Sequence, residues 1–299
     1  MVRYKLVAFG IAGMLLTSCS VIKHKNKPIT GHWPQQPVVV DGLAGEWPAV
    51  SGYDDKAMLG YSCSNDSADL YIRIETGDAA TQLKILKNGL TVWLDRTGKE
   101  QQITAINYPI PENFKLAGDK GIRTQRINDN ADPGPDEAIQ KRLLDIRMNV
   151  KQAIPQAAEY SLQGFKGCNF QFPLTAGNSC GIVVRMNMNE DNQLVWEACI
   201  PFKAFYHKEI IDRTDRNRIF SICIETTEAK RPAGQTTARV RGNARSGFRP
   251  GISVGGMGMG MQFGGGNGSY NTAYDPNANL MEPLYRSTST WFRTNLAIK

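Results

Sequence analysis

The side chains that commonly carry chemistry are sparse and scattered in this chain of 299 residues. Asp54 and Asp55 are adjacent acids, but neighbouring residues on a strand point to opposite faces, so the pair is poorly placed to flank a glycosidic bond. The three histidines lie far apart, and no cysteine or histidine spacing is typical of zinc. No GxSxG, HExxH, GxGxxG or P-loop motif is present. The sequence therefore predicts a protein that is not an enzyme and holds no catalytic metal.

The first residues of the chain predict export and attachment to lipid. Arg3 and Lys5 precede an uncharged, mostly apolar run, Leu6–Leu16, and two small hydroxyl residues then lead to Cys19. This order is typical of a secretory signal, and the run is shorter than the roughly 20 residues that span a bilayer. The cut site resembles the lipobox of bacterial lipoproteins, which implies acylation of the Cys19 thiol, palmitate included. A plain signal peptide that is cut elsewhere is the alternative.

The residues after Cys19 predict a location. Ser20 stands where lipoproteins retained in the inner membrane tend to carry Asp, so the resemblance implies the outer membrane. The segment Val21–Lys25 is basic rather than acidic, which favours an anchor facing the periplasm over one at the cell surface. A basic segment beside a lipid anchor is also attracted to anionic headgroups. Since the chain is exported, we expect no nucleic-acid partner.

Composition and cysteine count describe a globular exported domain. Hydrophobic residues make up 41% of the chain, which is enough for a core. The net charge of +7 falls to +5 when the signal takes Arg3 and Lys5 with it. An oxidising compartment permits disulfides, and Cys168 with Cys180 is the preferred pair because it closes a short loop. Cys199 and Cys223 lie in apolar runs and are expected to be buried.

The chain divides into a signal, a tether, a main domain and a tail. Residues 20–36 are polar and form the expected tether, and residues 37–230 form the domain. Short β-rich runs bounded by turn residues predict strands, and Asp191-Asn192 predicts a hairpin. The expected strands are Ala57–Tyr61, Leu70–Glu75, Leu90–Asp95, Gln102–Tyr108, Ala157–Leu162, Gly181–Met188, Gln193–Ile200 and Ile219–Thr226.

Two helices and a low-complexity tail complete the prediction. Thr81–Leu86 is expected to form a turn or two of helix, and Asp136–Val150 has apolar residues at near-helical spacing. Residues 231–284 are rich in Arg, Gly and Met and are expected to be flexible. The alternative for the Met257–Met261 run is a cuprous copper site, because thioethers are soft ligands. Residues 285–299 are apolar enough to pack on the domain or on a partner. We expect a mainly β protein, an antiparallel β-sandwich with one or two short helices and a disordered Gly-rich C-terminal tail.

Four segments in serial order resemble carbohydrate-binding modules of family nine. They are the stretches Val40–Pro48 (VDGLAGEWP), Asn65–Ile72 (NDSADLYI), Gly89–Gly98 (GLTVWLDRTG) and Leu194–Phe202 (LVWEACIPF). The resemblance covers residues 38 to about 228 and implies a β-sandwich that binds carbohydrate. It also implies calcium held by loop carboxylates, for which the candidates are Asp54, Asp55, Asp66 and Asp69.

The best candidate for a binding side chain is Trp93. The period of two places Trp93, Thr91 and Asp95 on one face of a strand, opposite Val92 and Leu94. An exposed indole could stack on a sugar ring with polar neighbours for the hydroxyls, whereas the alternative is a second packed face of the sandwich. Trp47 and Trp196 are interpreted as core.

A further strand residue, Glu197, points away from the predicted core. As a lone carboxylate it is interpreted as a partner for an arginine or a loop amide rather than as a catalytic group.

Two functions follow from these patterns. One is a lipid-anchored envelope protein with a structural or scaffold role, whose partner is another envelope protein. The other is a lipoprotein that captures poly- or oligosaccharide through an aromatic surface. Both have the membrane as a partner through Cys19.

Overall fold

The computed structural model describes residues 28–111, 135–231 and 280–299. Cys19 and the Gly- and Met-rich stretch that includes Met257–Met261 lie outside these ranges. No helix in the described ranges is both long enough and apolar enough to cross a bilayer.

Twelve strands and three α-helices make up the described structure. The strands are β1 (Ile29–Thr30), β2 (Gly52–Asp54), β3 (Leu59–Asn65), β4 (Asp69–Thr76), β5 (Leu90–Asp95), β6 (Thr104–Asn107), β7 (Glu159–Gln163), β8 (Gln171–Pro173), β9 (Val183–Met188), β10 (Leu194–Pro201), β11 (Ile219–Thr226) and β12 (Thr288–Asn295). The helices are α1 (Ala79–Asn88), α2 (Pro135–Ala153) and α3 (Phe202–Phe205).

The strands form two sheets that enclose one core. One sheet has seven strands in the order β1-β12-β11-β5-β6-β7-β8, and the other has five in the order β2-β3-β4-β10-β9. All pairs are antiparallel except β1 with β12. This arrangement confirms the predicted antiparallel β-sandwich. It forms because alternation of apolar and polar residues gives each sheet one inward face.

Trp196 on β10 is a large side chain on the core side of the five-stranded sheet. Its side chain is 1% exposed, and its indole N–H donates to the Tyr108 carbonyl at 3.2 Å. Leu194, Ala198 and Ile200 share that inward face and are also buried. Trp196 is therefore a core residue, as the period of two predicted.

The strand predicted at Ala57–Tyr61 lies later in the chain, at Leu59–Asn65. The cause is a turn organised by Asp54, whose Oδ1 accepts from the amides of Lys56 at 2.8 Å and Ala57 at 3.0 Å. Met58 then adopts a positive φ of 57°, which ends the turn rather than extending a strand. A side-chain contact with the turn backbone thus overrode the local β propensity.

Both predicted helices are present and longer than expected. Asp78 caps α1 by accepting from the Thr81 amide at 2.8 Å, and Gly89 follows its end with a φ of 80°. Helix α2 packs against α1. Within α1, Lys84 is buried, and its ammonium donates to the Arg286 carbonyl at 3.1 Å. This bond ties the helix to the chain that leads into β12.

Two features close the domain, one local and one from the distant C-terminal segment. Cys168 and Cys180 form a disulfide with a Cα–Cα distance of 6.2 Å, the pairing preferred from their spacing. Residues 288–295, expected only to pack on the domain or a partner, form strand β12 and pair with β11 along its whole length. The strand is not flagged by alternation of apolar residues, because it contains four Thr or Ser residues.

Candidate functional site

The middle of the seven-stranded sheet places Trp93 on its outward face. In β5 the buried residues Leu90, Val92 and Leu94 face the core, so Thr91 and Trp93 face away from it. Both are half-buried. The Thr91 hydroxyl donates to the side chain of Asn107 on β6 at 2.6 Å. Thr91 and Trp93 thus lie where the sequence predicted them.

A carboxylate on the next strand fixes the Trp93 indole. Its N–H donates to Glu225 Oε2 at 2.6 Å, and the other oxygen of Glu225 accepts from the Gln102 amide at 3.0 Å. Glu225 is half-buried and directly opposite Thr91 in the β5–β11 register. Because the indole N–H and both oxygens of Glu225 are engaged in these hydrogen bonds, the indole plane is held in one orientation.

A second tryptophan that sequence reasoning did not assign to a site shares this face. Trp93 is paired with Cys223, and Cys223 is paired with Trp291, so the three side chains project to the same side. The two indoles are two strands apart, which is about 10 Å at the usual strand spacing. We call the outward surface of Thr91, Trp93, Cys223, Glu225 and Trp291 the tryptophan face.

The floor between the two indoles is a small, inert side chain. Cys223 is buried, and burial raises the pKa of its thiol to about 11. Its sulfur lies 3.2 Å from the Ser289 hydroxyl on β12. A short residue flanked by two large aromatic ones leaves the rings as the prominent apolar features of the face.

Asp95 does not belong to the tryptophan face, although the sequence grouped it with Trp93. It is 0% exposed, and its carboxylate accepts from four donors in the following loop: the Thr97 amide and hydroxyl and the amides of Lys99 and Gln101. Burial raises the pKa of Asp95, but these hydrogen bonds outweigh it and hold the pKa below its usual range. Asp95 therefore organises a loop and is not free to bind a ligand.

Trp291 also lines a cleft of about 370 Å³ at the edge of β12, which we call the β12 cleft. Its aromatic walls are Trp291, Tyr53 and Tyr61, of which Tyr53 is exposed and Tyr61 stacks on Phe292 with ring centroids 4.3 Å apart. The remaining lining is polar and consists of Asp54, Asp55, Lys56, Ser289 and Thr290. Aromatic walls with a few hydrogen-bonding groups are typical of small-ligand sites.

Two of the four carboxylates proposed as calcium ligands, Asp54 and Asp66, already have several protein donors. Asp54 accepts from two turn amides and, through Oδ2, from the Thr290 hydroxyl at 2.8 Å. Asp66 accepts from the amides of Ala68 and Asp69 and from the Tyr71 hydroxyl, each at 2.8 Å. Among the described residues no cluster of three or more His, Cys, Asp or Glu side chains could hold a metal ion.

The opposite outward face, on the five-stranded sheet, is covered by the chain before β2. Glu197 on β10 is 0% exposed and accepts from the amides of Asp41 at 3.1 Å and Gly42 at 2.7 Å. Burial raises its pKa to about 7. The carboxylate thus binds loop amides, as the sequence analysis interpreted it. Trp47, interpreted as core, is half-buried here, with the Arg73 guanidinium 5.7 Å from its ring centroid.

Comparisons with known proteins assign this chain to no family. No family model matches the chain, and no curated protein matches it. Among solved structures, it is similar to a carbohydrate-binding module of family 9 from Caldicellulosiruptor kristjanssonii in complex with glucose. The TM-score is 0.32 and the sequences are 12% identical, over 68% of this chain and 79% of that chain.

Proposed function

We propose that this chain is a non-catalytic carbohydrate-binding protein of the cell envelope, held to the outer membrane through Cys19. The observation that carries the binding role is the pair of half-buried indoles, Trp93 and Trp291, which lie on either side of Cys223 on the outward face of the seven-stranded sheet. Large, rigid aromatic surfaces bind the apolar faces of sugar rings at low cost in conformational entropy.

The polar surroundings of the indoles suit a hydroxylated ligand. Glu225 and Thr91 lie beside Trp93, and the β12 cleft adds Asp55 and Ser289 beside Trp291. These groups accept or donate hydrogen bonds to hydroxyls. The binding surface proposed runs across the tryptophan face from Trp93 to Trp291 and into the β12 cleft, a length that suits an oligosaccharide.

The test of binding is calorimetric titration of the purified chain with soluble polysaccharides and oligosaccharides, including β-glucans, xylan and mannan fragments. Trp93→Ala and Trp291→Ala should each reduce affinity at least about tenfold, since each removes a stacking surface. Trp33→Ala is the matched control, because Trp33 is half-buried under Lys299, 4.9 Å from its ring, and lies outside the tryptophan face. Absence of binding to every glycan, or equal losses in all three variants, contradicts the proposal.

The anchor is tested separately. Cys19→Ser should move the protein from the membrane fraction to the soluble fraction, because acylation needs the thiol. Unchanged fractionation contradicts the lipoprotein assignment and leaves the binding proposal as it stands.

A further inference from the structure

A second cleft lies where the loop after β5 meets the start of β11, and it shares no residue with the tryptophan face. It has a volume of about 560 Å³, and its polar lining comes from Arg96, Thr97, Asn217, Arg218 and Tyr206. We call it the arginine cleft. Arg96 and Arg218 are both exposed, and neither guanidinium forms an ion pair with any other described residue.

The loop that presents Arg96 is rigid. The buried carboxylate of Asp95 accepts four hydrogen bonds from Thr97, Lys99 and Gln101. Gly98 has a φ of +68°, and a Cβ there would lie 2.9 Å from the Ile219 carbonyl oxygen. The loop is therefore pinned at its base by Asp95 and packed directly against the first residue of β11.

The loop that presents Arg218 is built in the same way. Asp215 is 1% exposed and accepts from the Tyr206 hydroxyl at 2.6 Å, the Lys208 ammonium at 2.7 Å and the Asp212 amide at 3.0 Å. Burial raises the pKa of Asp215, but these bonds outweigh it and hold the pKa below its usual range. The Tyr206 ring is fixed by the hydrogen bond from its own hydroxyl to Asp215. An edge-on contact with Phe220, with ring centroids 5.2 Å apart, also holds it.

The charges of the cleft are therefore left unbalanced. Both carboxylates nearby are saturated with donors from their own loops. Of the other two acids of the Asp215 loop, Asp212 lies 3.7 Å from the Lys208 ammonium, and Glu209 does not line the cleft. Two guanidinium groups held on two rigid loops thus face one cavity without an ion-pair partner in the part of the chain that the structure describes. Guanidinium groups bind carboxylates in a bidentate fashion and lose little freedom when pre-positioned.

We propose that the arginine cleft binds an acidic sugar, a pyranose that carries a carboxylate, through Arg96 and Arg218. The cavity is larger than a bare inorganic anion requires, and its other groups suit a hydroxylated ring. Asn217 offers an amide, Thr97 offers a hydroxyl, and the fixed Tyr206 ring offers an aromatic wall. This site uses none of the residues of the tryptophan face.

The test is titration of the full chain with glucuronate and galacturonate, compared with glucose and with inorganic phosphate. We expect saturable binding of a uronate that weakens as salt rises. Arg96→Gln and Arg218→Gln should each weaken it at least about tenfold, since each removes a hydrogen bond to a charged group. Arg96→Lys, which keeps the charge without the fork, should give a smaller loss.

The matched control is Arg216→Gln, which removes an exposed arginine of the same loop that does not line the cleft. Its affinity should stay within about twofold of the unchanged chain, as expected for an exposed charge. Equal losses in the three Gln variants, no uronate binding, or glucose binding as tight as glucuronate would overturn the proposal. Phosphate binding as tight as glucuronate would overturn the sugar assignment. Trp93→Ala should leave uronate affinity unchanged, so the failure of either proposed site is separable from the other.

Discussion

Both outward faces of this sandwich carry a glutamate that accepts hydrogen bonds, but one face is covered by a segment of the chain and the other is open. On the five-stranded sheet, Glu197 and Arg73 lie beneath the segment 38–50, and the carboxylate binds the amides of that segment. On the seven-stranded sheet, Glu225 binds the indole of Trp93 along the surface, and both groups remain half-buried.

The difference shows in which polar atoms lack partners. Where the covering segment meets its sheet, three buried atoms lack a hydrogen-bond partner among the described residues: the Trp47 indole nitrogen in the segment, and Arg73 Nε and Glu197 Oε1 beneath it. On the tryptophan face, the Trp93 indole and both oxygens of Glu225 are engaged. The open face relies on its own hydrogen bonds to order Trp93 and Glu225, although the buried Ser221 hydroxyl on the same side of β11 lacks a partner among the described residues.

The largest expected effect separates core from surface indoles. Trp196→Ala should lower the free energy of unfolding by about 3–5 kcal/mol, because it leaves a cavity in the core. Trp93→Ala should lower it by roughly 1 kcal/mol, the usual net value of one hydrogen bond. Urea denaturation followed by circular dichroism measures both. A loss at Trp93 as large as that at Trp196 would mean that the seven-stranded sheet has two packed faces.

The second prediction concerns the contact of the covering segment with its sheet. Gly42 has a φ of +81°, and a Cβ there would lie 2.6 Å from the Asn187 amide nitrogen. Gly42→Ala should therefore destabilise the fold by about 2–4 kcal/mol, from a left-handed backbone and a steric clash.

Gly45→Ala is the control for that change, since a Cβ at Gly45 meets nothing within 4 Å. Its stability in the same urea series should lie within about 0.5 kcal/mol of the unchanged chain. Equal losses at the two glycines would show that the segment does not lie tightly on the sheet.

The third prediction is a pH dependence from Glu197. Burial raises its pKa to about 7, above its ordinary value, so the folded state binds more protons than the unfolded state between those values. Its contribution to stability is complete at pH values below the ordinary pKa and is lost as the pH rises towards 7. The loss should be on the order of 1–3 kcal/mol, since one pKa unit corresponds to about 1.4 kcal/mol.

Glu197→Gln removes the titrating carboxyl, so the free energy of unfolding of this variant should vary less with pH over that interval. The measurement is the free energy of unfolding from pH 4 to pH 8 for both proteins. A difference between them that does not change with pH would place the Glu197 carboxyl in water rather than beneath the segment.

The smallest expected effect on stability comes from the β12 cleft. Asp55 is exposed and lines that cleft beside Trp291. Asp55→Asn should leave the free energy of unfolding within about 0.5 kcal/mol of that of the unchanged chain. It should reduce glycan affinity several-fold, because an amide replaces an acceptor-only group. Titration with the best glycan found for the unchanged chain measures it. Unchanged affinity would confine the binding surface to the tryptophan face itself.

Much of the fold was predictable because its signals are local. The bounds of β5 and β11 match the predicted Leu90–Asp95 and Ile219–Thr226, since both runs alternate apolar and polar side chains. The hairpin at Asp191-Asn192 joins β9 to β10, and Asn192 has a positive φ of 58°. Strand β12 escaped prediction because its composition, rich in Thr and Ser, lacks a strong apolar alternation.

The candidate site was only partly predictable. Thr91 and Trp93 followed from the period of two in one strand, but that same period wrongly grouped Asp95 with them as a binding group. Asp95 is at the strand end, where the chain turns and the loop amides converge on its carboxylate. Alternation describes directions along a strand and carries no information about a loop that folds back over it.

The sequence by itself determined the strand alternation, the short loop that Cys168 and Cys180 close, and the inward position of Trp196, because each depends on neighbours close in the chain. Only the tertiary structure decided that Trp291 lies beside Trp93 and that residues 38–50 cover one outward face and leave the other open. Those arrangements depend on which distant strands pair and in which register, and burial of the whole core selects that pairing.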